Sequence, residues 1–380
     1  MKPLSPLTFS KHILASLLLL CAFAANSQVY TNKPVGKKNQ HAIDSIKSQD
    51  YPYVLPIWGE KATKRGFMLP YSAGMSVQYL WQQSDLIIEN LKVGFNNNEP
   101  YDLKEVVRFN SARSIASGIN LRPDIWLFPF LNVYGILAKS RPNTLVDYSI
   151  YVPDASGNWK EAIRLNSEAN FEATTFGFGI TPTFGVGGGW IALDMNFTWS
   201  DIPELKEPAF AYIFGPRIGK SFRFKNPNSN IAFWVGGFRL KLNTGTSGSI
   251  PLKEVIPVDG LQQKVDAGLA KVEASNQDVA NWWTNLSPIE QRNPANIARY
   301  EAANRAITAA GGMLSSMDDA LNDENTATVQ YSLDKRPKDM WNFVVGTQFQ
   351  YNKHWMIRLE YGFLGSRTQF IAGLQYRFGL

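Results

Sequence analysis

Apolar and polar residues alternate along six stretches of the chain, each about as long as a tilted strand needs to cross the hydrocarbon of a membrane. The alternation is clearest at 367–378, where one face of an extended strand is apolar and Ile371 is the only exception on the other. The other stretches are 75–82, 114–122, 191–199, 342–351 and 355–363. The pattern predicts an all-β fold, a transmembrane antiparallel β-barrel with a lipid-facing exterior and a polar lumen. For a single such strand, the alternative is the edge of a soluble β-sandwich.

The connections between these stretches predict ten strands. Short turns alternate with long connections, as periplasmic turns and external loops do in outer-membrane barrels. The short turns lie at 127–129, 186–188, 226–228 and 352–353, and the long connections at 84–110, 140–170, 201–208 and 244–338. The predicted strands are 71–90, 106–126, 130–142, 168–184, 189–200, 209–224, 229–243, 339–351, 354–364 and 367–378. Twelve strands are the alternative if 86–95 or 326–333 are separate wall strands. An even number places both termini in the periplasm.

One long connection changes its period from two residues to seven. Between 258 and 323, apolar residues recur at helical spacing in two series. The series are Val265, Val272 and Val279 with Leu261 and Leu269, and Tyr300, Ile307, Leu314 and Leu321 with Ala303, Ala310 and Met317. Between the series, Ser287, Pro288 and Glu290 have the spacing of a helix-starting capping box. Residues 250–325 are therefore predicted to form an extracellular α-helical hairpin inserted in the barrel.

Two interpretations of this hairpin remain open. Its apolar seams can simply pack on each other, which explains the seven-residue period without a further role. Alternatively Trp282 and Trp283, which lie near the predicted bend, form a contact surface for a partner or a sugar.

The first 27 residues have the pattern of a cleavable secretory signal peptide, with Lys2 and Lys11 ahead of an apolar core. The only cysteine, Cys21, lies within it, so the mature chain is expected to contain no disulfide. Residues 28–70 are polar and are predicted to be an N-terminal periplasmic segment with little structure of its own, or alternatively a short plug for the lumen. Residues 71–380 form the predicted barrel, and the expected location is the outer membrane.

Charged residues are expected on the lumenal face of several strands. They are Arg122, Asp124, Asp194, Arg217, Arg239, Arg358, Glu360 and Arg377. In a ten-stranded barrel side chains largely fill the interior, so such charges must pair. Two hypotheses follow: a structural network of ion pairs, or a mildly positive lumen that conducts small anions or other solutes.

Histidine positions argue against an enzyme. His12 leaves with the signal peptide and His354 lies in a predicted periplasmic turn, so no histidine base is expected at the external end of the barrel. No zinc-binding spacing or phosphate-binding loop is present. The sequence therefore predicts no catalytic or metal-binding residue and no cofactor. The formal net charge of +6, two units of which leave with the signal peptide, is too small to predict a nucleic-acid partner.

Two features resemble known proteins. The pattern Gly373-x-x-Tyr376-x-Phe378 is similar to the C-terminal assembly signal of Gram-negative outer-membrane barrels, although here Gly379 and Leu380 follow the last aromatic residue. The runs at 127–135, 230–237 and 334–337 resemble those of a group of Gram-negative outer-membrane β-barrel proteins. This second resemblance implies the barrel fold, and it implies no activity and no site residue. The C-terminal pattern implies recognition by the barrel-assembly machinery.

The sequence thus predicts an outer-membrane barrel that acts as a narrow channel or solute-binding barrel for small molecules. The alternative from another class is a barrel anchor that presents the helical hairpin for adhesion or assembly, and an outer-membrane hydrolase is disfavoured. The expected partners are outer-membrane lipid, the assembly machinery and a small solute. The sequence does not predict the oligomeric state.

Overall fold

A computed structural model describes residues 40–380 apart from residues 187, 204, 206, 227, 243–244 and 323–325. The predicted signal peptide at 1–27 and the first part of the predicted N-terminal segment lie outside the described residues. The strands are β1 Ala73–Phe95, β2 Tyr101–Asp102, β3 Val107–Phe128, β4 Leu131–Pro153, β5 Trp159–Asn170, β6 Ala173–Val186, β7 Gly189–Asp201, β8 Ala209–Arg223, β9 Asn230–Leu242, β10 Gly245–Pro251, β11 Thr328–Pro337, β12 Trp341–Gln350, β13 Trp355–Phe363 and β14 Arg367–Phe378. The helices are α1 Gln40–Lys47, α2 Gly59–Lys64, α3 Leu252–Val255, α4 Leu261–Thr284, α5 Pro288–Gln291 and α6 Pro294–Leu321.

Ten strands close into an antiparallel barrel. The order around the wall is β1, β14, β13, β12, β9, β8, β7, β6, β4 and β3, and β3 pairs again with β1. The prediction of ten wall strands is confirmed and the twelve-strand alternative is wrong. Residues 86–95 continue β1, and β11 pairs with that continuation and with β10 instead of entering the wall. We call the end with the short turns and the chain terminus the turn end, and the opposite one the hairpin end.

The outward face of the wall is apolar. Along each strand, every second side chain points outward, and many of these are apolar residues more than a third exposed. Examples from different strands are Val77, Ile119, Leu137, Phe178, Ile218, Phe233, Ile357 and Leu374. Outward aromatic rings are in contact at both ends of this band, for example Phe176 with Trp199 at the hairpin end and Trp355 with Tyr376 at the turn end. A continuous apolar belt between two aromatic girdles is the surface of a membrane-spanning barrel.

The helical insert packs at the hairpin end, against the parts of β1, β4 and β5 that extend beyond the wall. Its core contains the predicted seams, and Val265, Leu314 and Met317 are completely buried there. Ser287 and Glu290 form the predicted capping box of α5, and Asn293 caps α6. None of the described helices combines the length and hydropathy needed to cross a bilayer.

The described part of the N-terminal segment has more structure than predicted. It forms α1 and α2 and is joined to the turn end of the barrel by backbone hydrogen bonds from Leu55 N to Leu380 O (3.2 Å) and from Ile57 N to Leu127 O (2.9 Å). Phe67 is buried and packs with the lumen-facing Trp126. The segment is therefore packed against the turn end of the barrel, because apolar side chains within a polar sequence fit against it.

Candidate functional site

A layer of paired charges crosses the lumen midway along the barrel. The Arg217 guanidinium on β8 donates to both carboxylate oxygens of Glu360 on β13, with Nε to Oε2 at 2.9 Å and Nη2 to Oε1 at 3.1 Å. Its Nη1 donates to Asp194 Oδ2 on β7 at 3.0 Å. The layer thus joins β7 and β8 to β13 across the two intervening strands β9 and β12. Only 1% of Glu360 and 7% each of Arg217 and Asp194 are exposed.

The two carboxylates of this layer have further donors. Glu360 Oε2 accepts from Trp234 Nε1 at 3.0 Å and from Arg358 Nη2 at 3.1 Å. Asp194 Oδ1 accepts from Thr181 Oγ1 at 2.8 Å and from the Tyr134 hydroxyl. Buried ions are tolerated when paired and fully hydrogen-bonded, so this layer is a packed polar core and not a row of free charges.

Two glycines make space for the aromatic members of this core. A Cβ on Gly346 would lie 2.2 Å from the Trp234 ring, and a Cβ on Gly179 would lie 2.2 Å from the Tyr134 ring. No other residue fits beside these rings without displacing them. Small inward residues thus alternate with large ones at the height of the charged layer.

A second ion pair lies nearer the turn end. Arg377 Nη2 on β14 is 2.9 Å from Asp124 Oδ1 on β3. Asp124 also accepts from Gln375 and Asn132, and Arg377 Nε donates to the backbone oxygen of Tyr71 at 3.0 Å. This pair therefore connects the first and last parts of the barrel to the end of the N-terminal segment.

Between these two pairs the lumen keeps a polar cavity of about 240 Å³. Arg122 and Arg358 line it and are half-buried, in contrast to Arg217. Arg122 stacks over the Tyr134 ring at 3.9 Å and Arg358 over the Trp234 ring at 4.8 Å. Aromatic faces hold both guanidiniums in position at the cavity, where Arg122 Nη1 donates to Gln78 Oε1 at 3.4 Å and Arg358 Nη2 donates to Glu360. The cavity has the chemistry to bind a small anion or polar solute.

Seven of the eight predicted lumenal charges lie inside the barrel, and Arg239 is the exception. On β9 the inward positions near the hairpin end are Phe238 and Leu240, which pack with Val344, so Arg239 points outward. Its Nη2 lies 3.9 Å from Met340 Sδ. The lumenal face of β9 is apolar at this height, and an outward arginine near the end of the strand can extend its charge toward the membrane surface. The adjacent Gly236 and Gly237 obscured the alternation in the sequence.

Sequence reasoning missed two groups of lumenal residues. Tyr134 and Trp234 hydrogen-bond the buried carboxylates, but an alternating pattern assigns aromatic residues to the lipid face. Arg367 is buried toward the hairpin end together with Gln369 and Asn342, which the alternation assigns to the polar face; Arg367 escaped notice because it stands at the first position of β14. Strict parity counted along β4, β9 and β14 would have placed Tyr134, Trp234 and Arg367 on the lumenal face.

The remaining candidates are placed as follows. Gly373 faces the lumen beside Gln78, while Tyr376 and Phe378 lie on the outer face. Near the bend of the hairpin, the Trp283 ring stacks on Tyr300 with centroids 4.4 Å apart. The Arg299 guanidinium lies 4.4 Å from the centre of the Trp282 ring. Both tryptophans are half-buried and hold the bend of the hairpin together.

No protein-family model and no curated protein matches the chain. The chain is a membrane-spanning antiparallel β-barrel. It is similar to the β domain of the Bordetella autotransporter BrkA, with 8% identity over 81% of this chain and 100% of that chain and a TM-score of 0.29. It is also similar to the Ralstonia pickettii toluene transporter TbuX, with 8% identity over 82% of this chain and 90% of that chain and a TM-score of 0.28. A third similar structure is an outer-membrane channel from Pseudomonas putida F1, with 8% identity over 81% of this chain and 96% of that chain and a TM-score of 0.25. Similarity at this level is one of barrel architecture alone.

Proposed function

We propose that this outer-membrane barrel is a narrow channel that binds small polar or anionic solutes in its lumen and rests closed at the charged layer. The observation that carries the proposal is the position of the Arg217–Glu360–Asp194 layer, which bounds a solute-sized cavity lined by Arg122 and Arg358. A solute that accepts hydrogen bonds from these arginines competes with the carboxylates for the same donors. Such competition gives the layer a physical reason to rearrange when solute is present.

Orientation and export belong to the same proposal. The hairpin end faces the exterior and both termini face the periplasm, which the chain reaches by means of a signal peptide at 1–27. Gly373, Tyr376 and Phe378 are recognised by the barrel-assembly machinery. We propose no catalytic activity.

Conductance of the purified full chain in planar bilayers tests the channel. The wild type should be closed most of the time, because the charged layer blocks the lumen. Arg217 and Glu360 changed together to Ala should give discrete, longer-lived current steps with anion preference, since both members of the main pair are removed. Arg122→Ala in that background should reduce the anion preference. Arg239→Ala, which changes an outward arginine, is the matched control and should leave the currents unchanged.

Two results would contradict the proposal. A folded double variant that never conducts would mean that the lumen is packed shut. A wild type that conducts as much as the double variant would mean that the layer is not the constriction.

An anchor that displays the hairpin is the second candidate. Ile289 on α5 is 83% exposed beside the half-buried tryptophans, and it favours a contact at the bend. In that case Ile289→Asp should abolish surface attachment of cells expressing the protein, whereas currents in bilayers should not change. Attachment that survives this substitution would remove the second candidate.

A further inference from the structure

A second cavity lies under the helical insert, outside the charged lumen. It has a volume of about 130 Å³. Ile88 from β1, Val146 and Tyr148 from β4, and Met313 and Met317 from α6 supply much of its apolar lining. Cavities of this size and character stay dry and accept small apolar molecules; an engineered cavity of roughly 150 Å³ takes up benzene. A molecule with a single apolar ring or a short alkyl chain therefore suits it.

One charged side chain also lines this cavity. Lys335 lies on β11 opposite Ile88 of β1 and is largely surrounded by protein. Burial lowers the pKa of its ammonium group, because the charged form loses water. Within the described parts of the chain, no hydrogen bond or ion pair joins this side chain to a carboxylate. Its neighbours on the strand do have partners, since Asp334 accepts from Asn90 and Arg336 pairs with Glu89.

An unpaired lysine in an apolar cavity is costly for the fold unless something compensates it. A carboxylate would do so, because a charge-assisted hydrogen bond is stronger where water is excluded. The two methionines that cover the cavity are flexible and polarisable, so they adapt to ligands of different shape.

We propose that the cavity under the hairpin binds a small carboxylic acid with an apolar body, with the carboxylate on Lys335 and the apolar part against Met313 and Met317. The site does not depend on the proposed channel. Binding requires neither current nor movement of the charged layer, so either proposal can fail alone.

Calorimetric titration of the detergent-solubilised full chain with octanoate tests this site. Partition into micelles is the same for all variants, so differences between them report the protein site. Lys335→Met should weaken octanoate binding by about tenfold or more, because the variant loses one charge-assisted hydrogen bond to the carboxylate. Octanol, which has the same chain and no charge, should bind both forms equally. Lys338→Met removes a nearby exposed lysine and should change nothing.

Further measurements keep the test decisive if Lys335→Met does not fold. Octylamine, with the opposite charge, should bind the wild type at least tenfold more weakly than octanoate. Ser167→Phe, which fills the cavity from β5, should abolish octanoate binding. Octanoate and octylamine binding with equal affinity, or octanoate binding that survives the filled cavity, would overturn the proposal.

Discussion

The barrel and the region beyond its hairpin end are built from the same strands with opposite polarity. In the wall, Val77 on β1 faces outward to lipid while Gln78 lines the lumen. Farther along the same strand, Val93 is buried inside beneath the helices and Lys92 faces outward. The solvent outside changes from hydrocarbon to water, and the strand pattern reverses with it.

Bulges accompany this reversal on two strands. In β1 an extra residue falls between Glu89 and Lys92, where Asn90 has a φ of 54°, and in β3 one falls between Phe109 and Ser111. An extra residue exchanges the two faces of a strand. The bulges therefore align the apolar residues of each extension with the helical insert, and the molecule has two cores with different chemistry, one ionic and one apolar.

The largest expected effect comes from breaking the ionic core. Glu360→Ala removes the carboxylate that accepts hydrogen bonds from Arg217 and Arg358. This loss should lower the free energy of unfolding by about 3–5 kcal/mol. Denaturant titration in lipid vesicles measures it. Glu172→Ala, at a pair whose side chains are 82% and 79% exposed, is the control and should cost under about 1 kcal/mol. Equal effects at the two sites would mean that the layer is not a core.

Breaking the apolar core should cost somewhat less and should leave the wall intact. Leu314→Ala removes a fully buried side chain of α6 and should destabilise the hairpin-end region by about 2–5 kcal/mol. Thermal loss of the helical circular-dichroism signal measures this change, while heat-modifiable gel migration follows the barrel. If the barrel melts together with the helices, the two cores are one cooperative unit and the contrast between them fails.

A smaller effect is expected at the start of α5. Ser287→Ala removes the side-chain oxygen that accepts from Glu290 N, and should destabilise the bend by about 0.5–2 kcal/mol. Hydrogen exchange of the α5 amides reports it. Ser287→Thr, which keeps the hydroxyl, is the control, and exchange as fast as in the Ala variant would argue against the cap.

Acid should loosen the hairpin end slightly. Hydrogen bonds from the Ser287 side chain and backbone lower the pKa of Glu290, and the Asn158 N–H chiefly lowers that of Asp154. Because the folded pKa values lie below the unfolded ones, this stabilisation is complete above the unfolded pKa and is lost as pH falls through the folded value, from about pH 5 to about pH 3. The hydrogen-exchange rates of backbone amides near both residues, corrected for the pH dependence of intrinsic exchange, should rise over this pH range. Unchanged rates would show that neither carboxylate matters.

Local pattern was sufficient to predict most of the fold. The alternation of β13 and β14 and the seven-residue repeat of α6 depend on neighbours only a few positions away, so the sequence displays them directly. The partners of Glu360 are not local: Arg217 and Trp234 are remote in sequence and meet it only when the barrel closes. Arg239 was assigned to the lumen because a charged residue was assumed to avoid the outer face. Gly236 and Gly237 hid the alternation of inward and outward positions along β9 that places it outside. The contacts of Phe67 were likewise invisible in a polar segment.

The closure of the ring also sets an order of folding. Ala73 at the start of β1 lies opposite Phe378 near the end of the chain, so the last ladder joins the two most distant parts of the barrel. Loop closure over that distance has to wait until the C-terminal strand is available, whereas α4 and α6 meet through contacts close in sequence and form quickly. We therefore expect the helical hairpin to form before the wall is complete, so that the strands close into a barrel beside a part that is already folded.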